Sequence, residues 1–146
     1  MLEDKEIGFI LHKADMAAKY DFNNELMRFG ITPGQLTVLN EINKHSGNTQ
    51  DPGLAPACIA DRIGCDRPTT TGIIDRLELQ GWVVRMQNQE DKRSCIICLT
   101  EKAKNNLDEL NHISAVHQSR ILKDFTEEEA VLFRNLLIRV INQFTS

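Results

Sequence analysis

The sequence predicts a mainly α-helical domain with a small β-hairpin, and three observations carry that expectation. Apolar residues recur every three or four positions at both ends of the chain. Two short helical segments with a tight turn between them occupy the middle. Directly after them come two β-branched runs split by a polar stretch, the pattern of a hairpin.

Residues 5–29 place Ile7, Leu11, Ala14, Ala18, Phe22, Leu26 and Phe29 on one face of a long first helix, which Gly30 stops. Thr32-Pro33-Gly34-Gln35 supplies a cap, a proline at the first helical position and a Gln three residues after the cap. That signature opens a second helix through Leu36, Leu39 and Ile42, ending near Gly47. The stretch SGNTQDPG, from Ser46 to Gly53, consists of turn-forming residues and reads as a loop. A short helix then runs from Pro56 through Ile59 to Ile63 and Gly64. Asp66-Arg67-Pro68 starts another, which buries Ile73, Ile74 and Leu77 and ends at Gly81. The pair, joined by a short turn at Gly64-Cys65, forms a helix-turn-helix unit.

Trp82–Met86 and Ser94–Leu99 are the two strands, with QNQEDKR as the charged tip. Thr100 caps a helix to about Lys123, and Thr126 with Glu129 forms a capping box for a last helix to about Phe144. The chain of 146 residues is long enough for one compact domain with a real core.

Composition narrows the class. Hydrophobic residues make up 41% and charged residues 26%, which suits a folded soluble protein and not a disordered one. No apolar run approaches bilayer length, and MLEDKEIGF lacks a basic start with an apolar stretch behind it, so a cytoplasmic protein away from the membrane is expected. The net charge of −4 argues against wholesale attraction to nucleic acid. Its distribution argues differently. Residues 62–104 hold eight basic and six acidic side chains, a balance of +2, against −6 elsewhere. A basic middle between acidic ends suits a localised DNA footprint.

Cysteine and histidine usage suggests no cofactor or metal. Of Cys58, Cys65, Cys95 and Cys98, only the last two have zinc-like spacing, and on a strand side chains three apart face opposite ways. His12, His45, His112 and His117 are too scattered for a metal set and read as surface residues. No nucleophile–base pair, phosphate loop or paired-carboxylate signature marks an enzyme.

A helix-turn-helix followed at once by a hairpin, with long helices at both ends, is the order of a winged helix-turn-helix regulator. The chain resembles the MarR family of bacterial transcription regulators over essentially its whole length. The resemblance rests on ITPGQLTVL from Ile31, PACIADRIGCDRPTTTGIIDRLELQGWVVR from Pro56, and DKRSCIICLT from Asp91. The Asp-x-Arg spacing before an apolar strand and Leu-Thr is the most specific of these. The resemblance implies one domain, 1–146, with dimerisation helices at 5–30 and 101–146 around a winged helix-turn-helix at 33–100. The chain departs from the family pattern in a longer loop from Ser46 to Ala55 and in Gly72, where members often carry a basic residue.

The interface follows from helical and strand geometry. With Ile73, Ile74 and Leu77 inward, Pro68, Thr69, Thr71, Gly72 and Arg76 lie opposite or on the flanks, small or hydroxyl-bearing except for Arg76. Such a surface can enter a major groove, although the same residues would also make an ordinary capped first turn. Asp91 and Arg93, two apart, would share a face of an extended strand, so the carboxylate could brace the guanidinium and aim it into a minor groove. The expected double-stranded DNA contacts are Arg67, Pro68, Thr69, Thr70, Thr71 and Arg76 on the helix, and Asp91, Lys92 and Arg93 at the tip.

The resemblance further implies a homodimer on a pseudo-palindromic operator and a small effector, often an aromatic acid. Candidate effector residues are His12, Met16, Leu36, Leu39 and His112, against the plainer reading that residues such as Met16 and Leu39 are core. Two other readings use sulfur: a redox-sensing regulator through Cys58 or Cys65, and a thiol oxidoreductase through Cys95 and Cys98.

Overall fold

The computed structural model describes residues 1–145. After a short 3-10 turn at Leu2–Asp4 come α1 (Ile7–Met27), α2 (Pro33–Asn48), β1 (Gly53–Leu54), α3 (Pro56–Ile63), α4 (Arg67–Leu79), β2 (Val83–Gln87), β3 (Cys95–Leu99), α5 (Glu101–Ile121) and α6 (Glu127–Phe144). The mainly helical fold with a small wing is as expected.

Local chemistry sets the helix starts. Thr32 Oγ1 accepts from Gln35 N–H at 3.2 Å while Gln35 Oε1 accepts from Thr32 N–H at 2.9 Å, completing the reciprocal cap of α2. Thr126 and Glu129 do the same for α6. Asp66 opens α4 by accepting Thr69 N–H at 2.7 Å, which holds its carboxyl below the ordinary carboxylate range. The turn between α3 and α4 passes through Gly64 at φ 68, the left-handed region where a Cβ is strained.

The sheet corrects one expectation. The stretch read as loop ends in a strand: Gly53 and Leu54 pair antiparallel with Cys98 and Ile97, giving the order β1-β3-β2. Its composition is that of a turn, and pairing with β3 makes it a strand. Gly53 lies so close to β3 that a Cβ would stand 2.2 Å from the carbonyl oxygen of Ile97, so the residue is there for close approach.

One core joins the winged part to the long helices. Leu36, Leu39 and Ile42 of α2 meet Ile59, Ile74, Leu77, Trp82, Ile97 and Leu107. The ends behave otherwise. Leu26 is the one buried residue of α1, and none of α6 is buried among those described. The stripe read on the first helix is covered at its C-terminal end, where Leu26 is buried and Phe22 and Phe29 pack on the core, and bare at Ile7; Tyr20 of α1 and Leu132 and Ile141 of α6, at 73%, 58% and 57% exposure, are also uncovered.

Candidate nucleic-acid interface

Helix α4 presents Arg67, Pro68, Thr69, Thr71 and Arg76 to solvent, next to the turn from α3. Thr70 does not join them. It is 1% exposed, and its hydroxyl donates to the Asp66 carbonyl at 2.9 Å. Thr70 shares its helical stripe with Ile74 and Leu77, so its place among the expected contacts is corrected to core. Gly72 has room beside it: a Cβ there would lie 3.5 Å from Arg76 Nη2, so the guanidinium reaches back along the helix over the glycine.

At the wing tip the backbone departs from the extended form assumed above. Lys92 and Arg93 form a turn. The Asp91 carboxylate accepts the backbone N–H of Arg93 at 3.0 Å, and the Asp91 carbonyl accepts Ser94 N–H at 3.1 Å. Asp91 is thus a brace of the turn and not of the guanidinium, the self-bonding typical of Asp at tight turns. Asn88 repeats the device by accepting Glu90 N–H at 3.0 Å, and Gln87 donates to the Lys92 carbonyl at 3.2 Å. Lys92 and Arg93 are left fully presented.

Ion pairing sorts the eight cations of the basic middle. Arg62 lies 3.8 Å from Glu41, and Lys104 3.6 Å from Glu101. Lys102 donates to the Gln80 carbonyl at 2.9 Å and sits 4.6 Å over the Trp82 ring. Arg85 is taken by Asp75 and by Glu78, whose Oε1 is 3.2 Å away. Burial pulls its pKa down, but hydrogen bonds to Glu78 and Cys95 and the two carboxylate charges raise it further. Lys102 is in no ion pair but is held by the Gln80 carbonyl and the Trp82 ring, and among the described residues Arg67, Arg76, Lys92 and Arg93 of this set have neither an ion pair nor another side-chain partner. All four belong to α4 or the wing tip.

Sequence reasoning passed over Arg85. Its signal was present: Val83 and Arg85 share a strand face, so an arginine pointing where a core valine points needs a partner, and Asp75 and Glu78 lie three apart on α4.

The effector candidates are not brought together. Leu36 and Leu39 are core, while His12 and Met16 are exposed on α1. His112 alone lines a cavity of about 340 Å3 between α1 and α5, with Asp21, Arg28, Val116, His117 and Arg120 around it. His117 is not a surface histidine as expected. It stacks on Phe22 with ring centroids 4.7 Å apart, and its Nδ1 lies 3.4 Å from Asp21 Oδ2. The hydrogen bond from Arg120, reinforced by His117, holds the Asp21 carboxyl below its usual range. His117 falls four residues after buried Ile113, which was the sequence signal for its burial. His45 is also largely enclosed, between Asp51 and Arg62.

Cys58 and Cys65 are exposed and Cys98 buried, all as free thiols; burial pushes the Cys98 thiol up. Cys95 and Cys98 sit on opposite faces of β3. Among the described residues no group of three or more His, Cys, Asp or Glu is placed to hold a metal, and no helix is long and apolar enough to cross a membrane.

Comparison with known proteins gives the same picture. The MarR family model matches residues 31–95. The uncharacterized HTH-type transcriptional regulator YfiV of Bacillus subtilis strain 168 is 31% identical over 139 residues, spanning 93% of this chain and 82% of that protein. The HTH-type transcriptional repressor YetL of the same organism is 32% identical over 110 residues, 74% of this chain and 62% of that one. A crystal structure of a MarR mutant from E. coli complexed with operator DNA superposes with a TM-score of 0.79 at 24% identity, covering 95% of this chain and 96% of that one.

Proposed function

Because the chain belongs to the MarR family, we propose that it is a homodimeric transcriptional repressor, not an enzyme, that reads a pseudo-palindromic operator in the cytoplasm and answers to a small molecule. The observation that carries the DNA reading is the clustering of the four cations of the basic middle that no carboxylate, carbonyl or ring engages. Arg67 and Arg76 flank the exposed hydroxyls of α4, and Lys92 and Arg93 crown the wing. Helix α4 is the recognition helix in this reading, set in a major groove with Thr69 and Thr71 at base edges or phosphates. Arg93 enters the adjoining minor groove, where negative potential is concentrated. The operator complex of the E. coli relative and the repressor YetL support the assignment by similarity.

Dimerisation is the reading of the apolar side chains that α1 and α6 leave exposed, Ile7, Met16 and Tyr20 on the first among them. Phe144 is exposed, as are Val131, Leu132, Leu136 and Ile141, apolar side chains that a second copy of the chain would cover. A two-fold dimer sets its recognition helices about one DNA turn apart.

For the effector, the cavity between α1 and α5 replaces the scattered residues. Arg28, His112, His117 and Arg120 face Asp21 and Glu25 there. An aromatic carboxylate could take Asp21's place on Arg120 beside the stacked His117. Helices α1 and α5 would then shift and change the spacing of the recognition helices. Such a coupling is typically about 1–3 kcal/mol. The competing reading, a thiol-responsive repressor, is favoured by the exposure of Cys58 and Cys65 beside the recognition helix.

Selection of DNA from a random pool tests the first part, with a palindrome expected and an unenriched pool as the contrary result. Sedimentation tests the second, a folded micromolar monomer being the contrary result. Operator titration with aromatic acids, and with peroxide on the Cys65→Ser variant, separates the two modes of control.

A further inference from the structure

A second cavity, about 500 Å3, lies away from α1 and α5, between the segment leading into β1 and the wing. Its size is within the range of small-molecule sites. Met86 and Ile96 are cross-strand partners and so share one face of the sheet. That face is opposite the one by which Ile97 packs into the core. Met86 is 48% exposed, an apolar side chain turned toward the cavity instead of the interior.

The wall chemistry decides what could fill it. Asp51 of the segment before β1 and Glu90 of the wing both line it, as do Gln50 and Gln89. No Lys or Arg lines the space. Arg62, which reaches His45 Nδ1 at 3.4 Å from behind, is directed to Glu41. His45 itself faces Asp51 at 3.7 Å and can offset that carboxylate only when protonated. An anion would meet two carboxylates and no lining lysine or arginine, which disfavours it.

We propose that this cavity binds a small amphipathic cation, its ammonium between Asp51 and Glu90 and its apolar body on Met86 and Ile96. The long segment before β1 thereby gains a purpose, since it supplies one wall. The site is independent of the effector cavity between α1 and α5 and has the opposite charge preference.

Calorimetric titration of the full chain with phenethylammonium chloride tests this, with 2-phenylethanol and 3-phenylpropionate as probes of similar body and different charge. Phenethylammonium is expected to bind with a Kd on the order of millimolar or tighter, and phenylpropionate more weakly at this site. The double variant Asp51→Asn, Glu90→Gln should weaken phenethylammonium about tenfold and leave 2-phenylethanol unchanged. Met86→Ala, its melting temperature checked first, should strip the apolar wall and weaken both, whereas His112→Ala should alter neither. No heat at about 10 mM phenethylammonium would overturn the proposal. So would binding that ignores both wing variants, or binding that follows His112→Ala instead.

Discussion

Arg85 Nε stands 3.2 Å from Glu78 Oε1, which bonds the base of the wing to the last turn of α4. The same guanidinium holds Asp75 one turn earlier, so the proposed recognition helix and wing share one clamp. Both carboxylates are substantially exposed, and such pairs contribute only about 0–1 kcal/mol each. Arg85→Met should therefore shift the melting temperature by only a few degrees, about 2–4 °C per kcal/mol for a chain this size. Operator affinity should fall by more than that small loss explains, because helix and wing no longer hold a common angle. Unchanged affinity in a fluorescence-anisotropy titration would show that the clamp serves stability alone.

At the wing tip, the roles of Asp91 and Arg93 separate by chemistry. Arg93→Ala removes a presented charge, so affinity drops and the salt dependence flattens by roughly 0.9 in slope for each phosphate charge it neutralised. Asp91→Ala frees the Arg93 amide and loosens the turn, so affinity drops with the slope kept. Asp91→Asn retains a side-chain acceptor for that amide and should bind like the parent protein or slightly better. If Asp91→Asn were as weak as Asp91→Ala, the negative charge and not the turn would be what matters.

Neighbouring threonines of α4 should behave oppositely. Thr70→Ala empties a buried site and leaves the Asp66 carbonyl without its hydroxyl partner, at a cost of about 1–2 kcal/mol seen in chemical denaturation. Thr71→Ala, at an exposed position, should leave stability within about 0.5 kcal/mol and weaken operator binding. Equal effects of the two on DNA at matched folded fraction would contradict the assignment of Thr70 to the core.

Acid should loosen α4 through its cap. The Asp66 pKa is lowered in the folded chain from its ordinary 3.8, so between the two values the unfolded state binds the proton more readily. The stabilisation is complete above the unfolded value and is lost as pH falls through the lower folded one. Asn caps about as well and does not titrate in this range. The difference in stability between the parent and Asp66→Asn should therefore drift in favour of Asn as pH drops below about 4, measured by denaturant melts across pH. A constant difference would remove Asp66 as an acid-sensitive element.

Locally encoded features were legible in the chain. Caps at Thr32, Asp66 and Thr126 depend on residues three positions away, and each forms as its spacing announced. Thr70 was wrongly expected among the DNA contacts, although its spacing to Ile74 and Leu77, on the buried stripe, carried the signal for burial. The strand at Gly53–Leu54 was not legible, because turn residues become a strand only where β3 offers an edge. Nor could spacing alone reveal that Asp91 serves a backbone amide, a matter of how the tip folds over itself. The Asp21–His117–Arg120 cluster joins residues nearly a hundred positions apart, and such pairing is set by packing of α1 on α5.

The approach of Gly53 to the Ile97 carbonyl bears on how this lineage could vary. Upstream of it, added residues cost little, since each doubling of a flexible loop adds only about 0.6 kcal/mol of closure entropy. At position 53 itself every side chain pushes on a neighbouring backbone that has no freedom to yield. Insertions can therefore accumulate on one side of a fixed point. Descendants of such a chain would be expected to differ freely in the length of this connection while keeping a glycine where it rejoins the sheet.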